Sequence, residues 1–120
     1  MPGESKVGTP EEIYLQPRSE FVARFVGGTN VLPGSMAGMP GIFSIRLEDV
    51  GVHASAPAVN GRVLEGTVLR RVFLGSSRDY VIDVAGEEIR ATTPLHVDVA
   101  PGERVWLSLP PERCRALESA

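Results

Sequence analysis

From Thr29 onward the sequence carries no helical period, and turn residues interrupt it at roughly 8–12-residue intervals, the pattern of a small β-barrel or sandwich. Residues 31–32 form a candidate short strand ended by Pro33-Gly34, and residues 35–41 (SMAGMPG) read as a loop. Residues 42–47 (IFSIRL) predict a strand with Phe43 and Ile45 on one face and Arg46 on the other. Residues 54–61, with Pro57 and Asn60-Gly61, predict a surface connection. Residues 62–73 are long for one strand and contain Gly66, which predicts a bend or bulge at a barrel corner. Residues 79–84 alternate cleanly, with Tyr80, Ile82 and Val84 on one face. Ala85-Gly86-Glu87 predicts a hairpin turn into residues 88–92, and Pro101-Gly102 a turn into residues 104–109, where Val105, Leu107 and Leu109 share a face. Closing such strands into a barrel would remove exposed sheet edges. Residues 116–120 read as a frayed tail.

The first 28 residues follow a different rule. Thr9-Pro10-Glu11-Glu12 is a capping box: the Thr9 hydroxyl can accept from the amide of Glu12, whose side chain can reach back. Pro10 then falls at the first helical position, where its missing N–H costs nothing. Pro17 ends that helix by disfavouring helical geometry at Gln16. A second helix is predicted over residues 18–26, with Phe21, Val22, Phe25 and Val26 on one face and Gly27-Gly28 as its stop. Tyr14, Phe21 and Phe25 are expected to dock these helices onto the barrel. The fold class is therefore mainly β: a small β-barrel or sandwich with one or two short N-terminal helices.

Composition then removes several function classes. The 120 residues suit one domain or two small lobes, and 42% hydrophobic content suffices for a buried core. The net charge of −3 leaves no basic surplus to neutralise phosphates, and four Phe, two Tyr and one Trp offer few rings for base stacking. No nucleic-acid partner is expected. One cysteine, Cys114, precludes an internal disulfide, and no apolar run follows Met1 or approaches the roughly 20 residues of a membrane span. A cytoplasmic location is expected. His53 and His96 are isolated, and Cys114 has no nearby soft partner, so no metal site is predicted. No G-x-S-x-G elbow marks an activated nucleophile. Nor is there a G-x-x-x-x-G-K-[ST] phosphate loop, an LSGGQ-type signature or an apolar strand ending in paired acids. No catalysis is expected.

Residues 7–17 (VGTPEEIYLQP) and 21–30 (FVARFVGGTN) resemble the linker that follows the nucleotide-binding domain in ABC-importer ATPase subunits. There a GTP-x-E-[IL]-Y-x-x-P run leads to F-V-A-x-F-[IVL]-G-x-x-N. Gly8, Thr9, Pro10, Glu12, Tyr14, Pro17, Phe21, Val22, Ala23, Phe25, Gly27 and Asn30 match it. Residues 66–80 (GTVLRRVFLGSSRDY) and 100–107 (APGERVWL) resemble the transport-associated OB-like domain, called TOBE. In place of the family's usual R-P-E stands Arg46-Leu47-Glu48, and the interval from Asn30 to Arg46 is shorter than usual, implying that one or two strands are missing. The resemblance implies a helical linker over residues 1–28, after an ATPase domain, and an OB-like TOBE domain over residues 29–120. A piece of a larger subunit is expected ahead of a stand-alone derivative.

By the same resemblance the chain is an accessory regulatory and dimerisation module of a solute importer. Its implied partners are a second copy, the ATPase domain and, through it, membrane permease subunits at the inner face of the cell membrane. ATP and Mg belong to that ATPase domain, and no cofactor is expected here. Asn30, Arg46 and Glu48 are the candidate interface or regulatory residues. Arg46 and Glu48, two apart on a strand, would project from one face. The alternative is a small-ligand module that binds oxyanions on the Gly75-Ser76-Ser77 turn, since glycine-containing turns can expose backbone amides. Arg70, Arg71, Arg78 and Arg90 could form a basic patch, which Asp79, Asp83, Glu87 and Glu88 are expected to offset.

Overall fold

A computed structural model describes residues 28–59 and 61–117. The helices expected before residue 27 and the tail at 118–120 lie outside the described residues. Eight strands follow in order: β1 (Thr29–Pro33), β2 (Ile42–Arg46), β3 (Gly51–His53), β4 (Arg62–Phe73), β5 (Arg78–Val84), β6 (Glu87–Thr93), β7 (Arg104–Leu109) and β8 (Arg115–Leu117). Short 3-10 turns occupy Gly34–Ala37, Leu47–Asp49 and Pro111–Arg113. Every ladder is antiparallel, in two sheets ordered β1-β2-β8 and β3-β7-β4-β5-β6.

One hydrophobic core serves both sheets. Leu32, Phe43 and Ile45 from the small sheet meet Val68, Tyr80, Ile82, Ile89, Val105 and Leu107 from the large one. Burying each of these side chains contributes roughly 1.5–3 kcal/mol, which is why period-two alternation decides which face turns inward. The five-stranded sheet curls until its edge strands, β3 and β6, come into contact range. The result is an OB-like half-barrel.

The predicted turns form for the expected reasons. Ala85 and Gly86 both have positive φ, 51° and 91°, the requirement of a two-residue type I′ hairpin. At Pro101-Gly102, Glu103 N–H donates to the Ala100 carbonyl, and the Glu103 carboxylate accepts from the Ala100 N–H.

Three expectations are corrected. The irregularity in β4 lies not at Gly66 but at Leu69, where the register with β5 shifts between Val68 and Arg70. Gly66 stays in the ladder opposite Val105, and is glycine because a Cβ there would lie 2.7 Å from the Asp83 carbonyl oxygen. Residues 116 and 117 are not frayed: they pair with Phe43 and Ile42 in β8. Residues 35–41 are not all loop, because a 3-10 turn fills Gly34–Ala37.

The bulge marks where β4 loses a neighbour. Val68 is the last residue held on the β7 side, its N–H donating to the Glu103 carbonyl and its carbonyl accepting from Gly102. Beyond it β4 has, among the described residues, only β5 as ladder partner, and the two strands continue as an arm. The one-residue shift also changes faces. Arg71 and Phe73 now sit opposite Tyr80 and Arg78, while Val72 sits opposite Asp79.

Candidate functional site

Asn30 lies on β1 with only 6% of its surface exposed. Its Nδ2 donates to the Ile45 carbonyl at 3.3 Å and to the Arg90 carbonyl at 2.8 Å, and its Oδ1 accepts from the Arg90 N–H at 2.7 Å. The side chain thus joins the small sheet to β6 of the large one. It faces the joint between the sheets rather than a free surface.

Arg46 ends β2, and the chain immediately enters the 3-10 turn Leu47–Asp49. Glu48 is therefore not on the strand with Arg46, as the two-residue spacing had suggested. The turn instead brings both following acids back: Arg46 Nε donates to Asp49 Oδ2 at 3.1 Å, and a second guanidinium nitrogen stands 3.8 Å from Glu48 Oε2. Asp49 was missed by strand reasoning, although its i, i+3 spacing is the pairing a helical turn allows.

Glu48 and Asp49 line a cleft of about 310 Å³ between β3 and the end of β6, together with His53, Thr93, His96 and Ser108. The two histidines, far apart in sequence, are brought to one groove. Even so, no cluster of three metal-ligating side chains occurs among the described residues. His53 Nε2 and Ser108 Oγ share a hydrogen bond at 2.9 Å, and a Cβ on Gly51 would collide with that hydroxyl. Thr93 is 4% exposed, and its hydroxyl has no hydrogen-bond partner among the described residues.

Gly75-Ser76-Ser77 caps the β4–β5 arm. Gly75 has φ 93°, and Leu74 N–H donates to the Ser77 carbonyl at 2.9 Å, so one turn amide is already used. Around it the arm exposes Leu69, Val72, Phe73 and Leu74, with Phe73 at 64%. The arginines of this region are held in place. Arg71 meets Asp98 at 2.7 Å, and Arg78 donates to the Leu95 and Val97 carbonyls while also facing Asp98. Asp98, rather than Asp79, is their partner, since Asp79 accepts from the Thr92 hydroxyl.

These features belong to a recognisable family. The TOBE-domain family model matches residues 43–117, and the chain belongs to that family. Its relatives are ATP-binding proteins of ABC transporters. YdcT of Escherichia coli strain K12, an ABC transporter ATP-binding protein, is 32% identical over 116 residues, covering 86% of this chain and 33% of its own. The spermidine/putrescine import ATP-binding protein PotA of Methylococcus capsulatus is 32% identical over 140 residues, covering 88% and 36%. The Fe(3+) ions import ATP-binding protein FbpC of Escherichia coli strain K12 is 29% identical, covering 88% and 35%. The chain thus spans about a third of the length of these relatives. Among solved structures, the cytoplasmic molybdate-binding protein ModG superposes with a TM-score of 0.56 over 68% of this chain and 66% of its own, at 11% identity. That likeness is one of fold. Among the described residues no helix is long and apolar enough to cross a membrane.

Proposed function

We propose that this chain is the accessory regulatory and dimerisation domain of the ATP-binding subunit of an ABC solute importer, with no catalysis of its own. The observation that carries this reading is the TOBE match over residues 43–117, together with import ATP-binding relatives of which the chain corresponds to about a third. ATP and Mg would be handled by the ATPase domain of such a subunit, and permease contact would pass through it at the inner face of the membrane. The β4–β5 arm supports association of two copies, because four large apolar side chains lie exposed on one hairpin. Arg46 and Glu48 are the polar candidates for a second contact, held by the turn that follows β2. Sedimentation velocity at micromolar concentration tests the reading: a dimer is expected. A monomer persisting to about 100 μM would overturn the pairing.

A second reading, a module that binds oxyanions, draws on the exposed Gly75-Ser76-Ser77 turn with its positive φ at Gly75. Thermal shift with molybdate, tungstate, sulfate and phosphate tests it. No stabilisation at millimolar levels by any of the four would remove it.

A further inference from the structure

A second cleft, of about 340 Å³, opens where the turn after β1, the start of β4 and the segment after β7 meet. That volume lies at the low end of the roughly 300–1,000 Å³ of small-ligand sites. Ala37, Met39, Leu109, Pro111 and Cys114 supply the apolar part of a mixed lining, and Arg62 is the one charged residue in it. One glycine with positive φ, Gly61, lines it, and another, Gly38, lies against the Arg62 guanidinium. Gly38 has φ 72°, and a Cβ there would lie 2.8 Å from a terminal nitrogen of Arg62, so the guanidinium rests against bare backbone. Gly61 has φ 97°, and a Cβ there would lie 2.8 Å from Pro111 Cδ and 2.9 Å from the Leu109 carbonyl oxygen.

Among the described residues Arg62 has no ion pair and no side-chain hydrogen bond. A guanidinium offers a planar fork of donors that a carboxylate can meet with two bonds. The adjoining wall can take an alkyl chain out of water at roughly 25 cal/mol per Å². Together they select an anion with a short apolar body. A bare oxyanion would leave the wall unused, and an alcohol would leave the guanidinium unused. The other cleft has the opposite character, with Glu48 and Asp49 in its lining and no arginine or lysine. We propose that the Arg62 cleft binds a short-chain aliphatic carboxylate, its carboxylate on Arg62 and its chain against Met39, Leu109 and Pro111.

Cys114, the single cysteine of the sequence, lines the same cleft and reports on it directly. Its labelling by N-ethylmaleimide in the full 120-residue chain, at mildly alkaline pH, is the readout. Sodium hexanoate is expected to slow labelling saturably, with a half-effect on the order of 1 mM. Hexan-1-ol at the same concentration and ionic strength is expected to leave the rate unchanged. Arg62→Met should label at the parental rate without ligand and lose the hexanoate effect by about tenfold or more in half-effect concentration. Arg62 is an exposed residue, so this variant is expected to fold. Amide NMR of the unsubstituted chain adds an arm that needs no variant, in which hexanoate shifts the Gly38 and Gly61 signals. Equal slowing by hexan-1-ol, retained protection in Arg62→Met, or unmoved Gly38 and Gly61 signals would each overturn the proposal.

Discussion

The carboxamide of Asn30 exchanges two hydrogen bonds with the main chain of Arg90, donating to its carbonyl and accepting from its N–H. A side chain here does what a neighbouring strand would do, pairing with the outer edge of β6. A third bond, to the Ile45 carbonyl, holds the carboxamide to β2 at the same time. Asn30→Leu keeps the size but deletes all three bonds, removing the carboxamide as a partner of the Arg90 main chain and of the Ile45 carbonyl. A group left without a partner costs about 1–3 kcal/mol when buried, and partial exposure of Arg90 moderates the total. A loss near 2–3 kcal/mol in urea unfolding is expected. A loss below about 0.5 kcal/mol would mean the sheets are joined by packing alone.

Tyr80 plays a comparable part for the irregular segment after β6. Its hydroxyl donates to the Val97 carbonyl and accepts from the Val99 N–H, both at 3.1 Å, from a fully buried position. Tyr80→Phe removes one atom and strands the buried Val99 amide, at an expected cost of about 1–3 kcal/mol. Hydrogen exchange should locate the effect: the Val99 amide loses protection while Ile82 and Val105 follow global stability. Equal changes at all three would argue against a local role.

The strands were legible in the sequence because most have one buried face, and period-two alternation reports that directly. Tyr80, Ile82 and Val84 all turn inward as expected. What escaped was pairing. Nothing local in residues 62–73 reveals that β7 stops supporting β4 at Val68, so the bulge was assigned to the glycine rather than to Leu69. Likewise, residues 116 and 117 read as part of a tail because their ladder partner, β2, lies some seventy residues away. At the candidate site, the Arg46–Glu48 pair was visible, but strand geometry was assumed where a turn intervenes, and Asp49 was overlooked. The two clefts combine distant segments and carry no local signal at all.

Gly66 gives a sharp test of the reassigned bulge. A methyl there meets the Asp83 carbonyl oxygen at 2.7 Å and methyl groups of Ile82 and Val84 at 2.8 Å. Backbone cannot yield as a flexible side chain would, so β4 and β5 must separate locally. Gly66→Ala is expected to cost about 1–3 kcal/mol, whereas Leu69→Ala, at an exposed bulge, should cost under about 0.5 kcal/mol. Comparable losses from the two, measured by chemical denaturation, would contradict the assignment.

Ala85 is the only non-glycine residue with positive φ among the described residues, at 51°. The left-handed region costs an alanine roughly 1–2 kcal/mol, and asparagine tolerates it better. Ala85→Asn creates the Asn-Gly pair that type I′ hairpins favour. The melting temperature should rise, corresponding to about 0.5–1 kcal/mol. An unchanged or lower melting temperature would indicate that the turn is not the two-residue type I′ form.

Phe73 separates association from folding. It is 64% exposed, and among the described residues its ring meets the Arg78 guanidinium, 5.9 Å from the ring centroid. An exposed cation–π contact contributes only about 0.5–1 kcal/mol, so Phe73→Ser should leave the monomer folded with a small loss. In a dimer that covers the arm, the same ring would be an aromatic anchor of the kind that dominates interface energy. The expected outcome is a dimer dissociation constant raised by at least about tenfold, read by sedimentation velocity, with a circular dichroism spectrum unchanged. Glu48→Ala, on the turn after β2 and away from the arm, provides the contrast. If that substitution weakens pairing and Phe73→Ser does not, the interface lies at the Arg46 turn instead of the hairpin.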